Sequence, residues 1–303
     1  METVRILSGQ TALMFMLMLV GFILYRIKMI DSKISGAIGN IVLYVANPAV
    51  ILSSLLTGFS SEKLVKGGIA VILSIGAVVV GIVVGILLYR RGKPINKFAI
   101  AFGNNGFIGI PLIQNVMGPE CVFYVTISVA IQAVAMWTYG VIILSGDKRE
   151  ASIKKVATNP CILAMVIGII VGFTGVTLPN VLSQTVTYLG NMNTPLAMIV
   201  LGSYLAETDV RLLLRDKDLY ISSVGRLVIV PIVCMFMTLL VPVQYSDVVT
   251  TILIAAATPV AGSLAIYCKR YDNNYAYGAG IVGLTTLFGL VTMPIFLYVT
   301  YLF

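Results

Sequence analysis

Histidine is absent from this chain, and acids are scarce, with 12 Asp and Glu against 20 Lys and Arg in 303 residues. Without imidazole the chain lacks the commonest metal ligand and general base, so no metal cluster, no cofactor and no enzyme chemistry of that kind is expected. The four cysteines, Cys121, Cys161, Cys234 and Cys268, show neither pairing nor ligand spacing and read as small apolar fillers. Charged residues are only 11% of the chain and hydrophobic ones 59%, more apolar matter than a soluble core of this size hides. The expected solvent is therefore a bilayer.

A span needs about 20 apolar residues. Charge-free runs fall at 6–25, 34–61, 67–89, 98–119, 121–146, 156–206, 227–246, 248–268 and 273–303. The run 156–206 holds two spans, with Gly172, Gly175 and Pro179 marking a turn between them, and the eighth helix begins near Leu219. The predicted architecture is an all-α integral membrane protein of ten transmembrane helices. A signal peptide is the competing reading of the first segment, which lacks a basic start and a small-residue cleavage site. Loops after odd-numbered helices carry 16 of the 20 cations, from Arg26, Lys28 and Lys33 to Lys269 and Arg270. Arg5, Lys63 and Lys66 are on the other side, and Arg226 is inside helix 8. By the positive-inside rule those loops are cytoplasmic and both termini are outside, which fits a bacterial inner membrane. The net charge of +8 then suits anionic lipid headgroups, with nothing in its layout to suggest nucleic acid.

Prolines expose a duplication. Pro48 pairs with Pro195, Pro94 with Pro242 and Pro111 with Pro259, at offsets of 147, 148 and 148. Gly21 and Gly168 share the offset of 147. The offset covers five helices, an odd number, so the second copy enters the membrane from the opposite side and the repeat is inverted. The expected domains are a first repeat over 1–145, a cytoplasmic linker over 146–159 and a second repeat over 160–303. Helix 4 carries Asn104, Asn105, Gly106, Gly109 and Pro111, and is expected to break at Pro111, which has no N–H to give to the preceding turn. Helix 9 has a matching break from Thr258 and Pro259 to Gly262 and Ser263. Glycine permits unwound backbone there, while carboxamides at mid-membrane are expensive unless paired.

The segment from Asn104 to Pro111 resembles the Asn-plus-Gly-x-Pro signature of the auxin efflux carrier family, whose bacterial members include proteins named as malonate and malate permeases. Asn159-Pro160, Pro195 to Gly202, Arg226 to Pro231 and Pro259 through Pro294 agree in order and spacing, so the resemblance spans essentially the whole chain. It implies the fold of bile-acid symporters and some sodium/proton antiporters, with helices 4 and 9 crossing at their breaks. It also implies a scaffold of helices 1, 2, 6 and 7, an elevator-like transport unit of helices 3–5 and 8–10, and a homodimer.

At such a crossing, half-helix N-termini present free N–H groups that suit a carboxylate, with the opposing C-termini partly cancelling the field. Asn104, Asn105, Thr258 and Ser263 are the expected substrate donors, with Gln114, Asn47 and Thr194 in reach, and Asn104 is the position matched to the family. Apart from Arg226 the middles of the spans hold no ionisable group, so the acidic sodium and proton sites of coupled carriers are missing. Export needs no coupling, since a monoanion leaving a cell at 100 mV gains about 2.3 kcal/mol, roughly a 50-fold gradient. The expected function is potential-driven export of a small organic anion, a mono- or dicarboxylate. Sodium- or proton-coupled uptake and a ligand sensor on a carrier fold are the alternatives. Arg226 reads first as an anchor snorkelling to the headgroups, with an anion vestibule as the alternative. Tyr124, Trp137, Tyr139, Tyr267, Tyr271 and Tyr275 read as interface or packing residues.

Overall fold

The computed structural model describes residues 2–56, 60–90, 92–151, 154, 157–174, 178–207 and 216–300, and the regular elements among them are all helices. Gly175 and the loop cations Arg91, Lys155, Arg211 and Arg215 lie outside the described residues. The helices are α1 (Glu2–Arg26), α2 (Ser32–Leu55), α3 (Ser61–Leu88), α4 (Pro94–Ala101), α5 (Ile110–Val116), α6 (Pro119–Ser145), α7 (Pro160–Thr174), α8 (Asn180–Asn191), α9 (Asn193–Glu207), α10 (Lys217–Thr238), α11 (Ser246–Ala256), α12 (Ser263–Arg270) and α13 (Tyr275–Thr300). Five of them, α2, α3, α6, α10 and α13, are long and apolar enough to cross a membrane. Shorter apolar helices cover Ala12–Arg26, Pro160–Thr174 and Val243–Ala256. The 28 residues of α3 reach about 42 Å, beyond the roughly 30 Å of a hydrocarbon core. Large apolar side chains such as Ile72 and Ile170 face outward, as a lipid-facing surface requires.

Short polar residues start these helices. Asp31 Oδ1 accepts from Ile34 N at 2.8 Å, Ser60 Oγ from Lys63 N at 3.1 Å and Asn159 Oδ1 from Cys161 N at 2.9 Å. Gly146, at φ +73°, ends α6 in the left-handed conformation. Proline places three of the four π turns. Val42–Ala46, Asn105–Gly109 and Gly225–Ile229 each end two residues before a proline, at Pro48, Pro111 and Pro231. A proline has no N–H for the carbonyl four residues back and crowds it, and lengthening the preceding turn relieves both faults.

This corrects the expected position of the first break. Helix 4 is interrupted at 102–104, between α4 and the π turn leading into α5, and Pro111 sits in the first turn of α5. The π turn absorbs the proline. The helix restarts at Asn104, whose Oδ1 caps Phe107 N at 3.2 Å. The second interruption covers 257–262, where Thr258 and Pro259 had placed it.

Packing relates the two halves. α1 lies along α9, with Gly21 against the Ile199 carbonyl and Gly202 against the Met18 carbonyl, so close that a Cβ at either glycine would overlap backbone. α7 packs on the second half of α2, where a Cβ on Gly168 would come within 2.7 Å of Leu55 Cδ1. A helix from each half of the chain thus leans on one from the other half, α1 on α9 and α7 on α2. Ion pairs show the same exchange. Near the start of α3, Lys66 Nζ lies 2.8 Å from Asp247 Oδ2 in the first turn of α11. At the opposite end of α3, Lys93, just before α4, pairs with Asp218 in the first turn of α10, and that bond raises the Lys93 pKa.

Gly202→Ala should lower the melting temperature of the purified protein by the equivalent of about 1–3 kcal/mol, since the added methyl meets a carbonyl that cannot swing aside. Gly68→Ala in α3, where nothing lies within 4 Å of the new methyl, should match or exceed the parent in the same thermal scan.

Candidate functional site

The two interruptions meet. Asn104 N donates to Pro259 O at 2.7 Å and Ala261 N donates to Phe102 O at 3.0 Å, a two-bond antiparallel bridge between Gly103 and Val260. Each strand-like piece is held by a side chain from the second helix after it. Gln132 of α6 accepts from Gly103 N at 3.2 Å and returns a bond to Gly103 O at 2.6 Å. Thr285 of α13 accepts from Val260 N at 3.3 Å. In hydrocarbon these groups would otherwise stay unpaired, at about 1–3 kcal/mol each.

Arg226 of α10 lies behind this bridge, only 3% exposed. Its Nε donates to Thr258 O at 2.9 Å, Nη1 to Ile100 O at 3.3 Å, and Nη2 to Ala256 O at 3.0 Å and Thr258 Oγ1 at 3.4 Å. The reading of Arg226 as a snorkelling anchor is therefore corrected. Its side chain turns inward to cap the carbonyl ends of α4 and α11, and it does not line the cavity described below. A Cβ on Gly103 would overlap the guanidinium and the Thr258 hydroxyl, so glycine is required there. From Thr258 the network runs on, through a 2.8 Å bond from its Oγ1 to Asn105 Oδ1 and a 3.2 Å bond from Asn105 Nδ2 to Ser128 Oγ.

On the other side of the bridge lies a cavity of about 1400 Å³. Its walls come from α2, α6, α9, α12 and the start of α13, and its floor includes Gly103, Asn104, Gly106, Gly262 and Ser263. Its mouth includes Ser32, Lys33, Asn159, Glu207, Asp216 and Arg270, all from loops or helix ends following odd-numbered predicted helices. Asn104 Nδ2 is buried on this floor with no hydrogen-bond partner, as is Asn47 Oδ1 of α2. A buried amide with nothing to bind is costly, and both residues line one space.

The predicted site residues thus divide. Asn104, Asn47, Ser263, Gly106 and Gly262 line the cavity. Asn105 and Thr258 are beside them but inside the packed bridge, 4% and 0% exposed, with hydrogen bonds made. Gly109, Pro111 and Pro259 shape the backbone, while Gln114 and Thr194 stay outside the lining. Sequence reasoning missed Gln132, Thr285 and Gly103. A carboxamide in the charge-free middle of a long span was the signal available for Gln132. Trp137 lines the cavity and meets the buried Tyr267 edge-on, with centroids 5.2 Å apart. Among the described residues there is no cluster of three or more His, Cys, Asp or Glu that could hold a metal ion.

A family model described as membrane transport protein matches residues 6–297. The chain belongs to this family, that of the auxin efflux carriers. It is 26% identical over 306 residues to an uncharacterized transporter of Methanothermobacter thermautotrophicus, covering 95% of this chain and 97% of that protein. An uncharacterized transporter of Methanocaldococcus jannaschii is 22% identical over 299 residues, covering 93% and 95%. Membership in this family makes the chain a membrane-embedded transporter rather than an enzyme.

Gln132→Leu should cost about 2–6 kcal/mol, because it strands both polar groups of Gly103 at about 1–3 kcal/mol each. Thermal unfolding in detergent reads this directly, and a melting temperature equal to the parent's would contradict the assigned role.

Proposed function

We propose that this transporter carries small organic anions, mono- or dicarboxylates, by an elevator motion driven outward by the membrane potential. The observation that supports this best is the Asn104 amide, a buried donor without a partner at the floor of a large cavity. A carboxylate supplies the missing acceptor. The first N–H groups of the π turn into α5 and of α12 add to it, since helix N-termini favour anions. The capping of both opposing C-termini by Arg226 removes the field that would have offset them.

The proposed topology is ten spans in two inverted repeats, 1–145 and 160–303, with 146–159 as the linker between them. The exchanged packing of α1 on α9 and α7 on α2 supports it, as do the two ion pairs. In this reading α1, α2 and α7–α9 form a scaffold through which two copies of the chain associate. The remaining helices carry the crossing past it. The cavity lies between the two groups and opens on the face rich in basic loops, which corresponds to an inward-open state with both termini outside the plasma membrane.

Asn104→Ala should abolish transport while still inserting into the membrane, with a loss of stability no larger than the roughly 1 kcal/mol of a missing helix cap. Solid-supported-membrane currents on proteoliposomes, with malonate, malate, lactate, pyruvate and indole-3-acetate as substrates, measure this. Parent-like currents from a well-folded Asn104→Ala would sink the assignment.

A further inference from the structure

Arg226 carries a full charge into the interior with no acid to meet it. Among the described residues the ion pairs are made by lysines, and no carboxylate lies within ion-pair distance of the guanidinium. Burial of an unpaired charge is tolerated only where fixed dipoles replace water. Here four oxygens do so: the carbonyls of Ile100, Ala256 and Thr258, and the Thr258 hydroxyl. Three carbonyls and a hydroxyl closing on one positive centre are the hard oxygen set that also coordinates small free cations. They converge because two helices end there with their negative poles toward each other. Any cation placed at this point would stabilise the crossing.

We propose that the Arg226 guanidinium is a tethered cation filling a cage that would otherwise take a free monovalent cation such as sodium. The crossing then keeps its shape and its countercharge through every step of a cycle without recruiting an ion from either side. This deepens the carrier reading above and rests on it for one consequence, that each turnover moves the charge of the anion alone. The cage itself needs no transport to exist. Gly103 shows how closely it is fitted, since no side chain larger than hydrogen leaves the planar guanidinium its place.

The test is thermal unfolding of the purified full-length protein in choline, lithium or sodium chloride, for the parent, Arg226→Ala and Arg226→Lys. The parent should melt at one temperature in all three salts. In choline, Arg226→Ala should fall by about 5 °C or more, and about 100 mM sodium, lithium or methylguanidinium should restore much of the loss by occupying the cage. Arg226→Lys, with an ammonium still present, should lie between the two and ignore sodium. Stabilisation of the parent by sodium would overturn the proposal, as would an Arg226→Ala protein that melts like the parent or that no cation rescues. If Arg226→Ala yields no folded protein even with sodium or methylguanidinium present, the cage is likewise rejected. Flux is scored separately. The expected melting pattern in a protein silent toward every anion keeps the cage and rejects the carrier reading. Anion currents that require sodium in the parent do the reverse.

Discussion

A helix interrupted inside hydrocarbon leaves carbonyls without donors at one end and N–H groups without acceptors at the other, with no water to serve either. The structure depends on how that debt is met. The carbonyl ends of α4 and α11 are closed by Arg226, and the extended pieces between the half-helices bond to each other and to Gln132 and Thr285. Satisfaction is thus concentrated on one side of the bridge. On the other side Asn104 and Gly106 line the cavity, so the break that endangers the fold also shapes the surface proposed above to bind substrate.

The two halves share roles more than residues. Gln132 and Thr285 hold corresponding pieces of backbone with different chemistry, a two-way amide in one and a single hydroxyl in the other. The ion pairs reverse their charges, with lysine on α3 answered by aspartate on α11 and lysine before α4 answered by aspartate on α10. Arg226 has no counterpart. The offsets of 147 and 148 lead back to Val79 and Val78, so one cation, not two, serves both carbonyl ends. Half charges of opposite sign at four helix termini sum to about zero, and the guanidinium leaves the crossing near one positive unit.

Helical, membrane-embedded character was legible in the charge-free runs, because bilayer thickness sets span length. So was the neighbourhood of the site. Asparagine and glycine at mid-span signal backbone that cannot be regular, and Asn104 proved to cap the restarted helix. The break itself was misplaced because proline was weighed as its cause, while a π turn lets Pro111 stay within the helix. Reading Asn104 as a cap followed by a helical run would have located it. The direction taken by Arg226 was not legible. Seven residues into a span, a long side chain can reach either the headgroups or the interior, and only the third dimension shows that two carbonyl ends wait on the inner side.

The mouth of the cavity carries two acids and two bases, Glu207 and Asp216 with Lys33 and Arg270. Their charges sum to zero, so the mouth itself adds no net charge to the basic face around it, and any steering of a charged solute comes from the surrounding loops and fades as salt rises. Under the carrier role proposed above, attraction to the basic face and selection at the floor are then separate properties, the first sensitive to salt and the second to the side chains of the cavity.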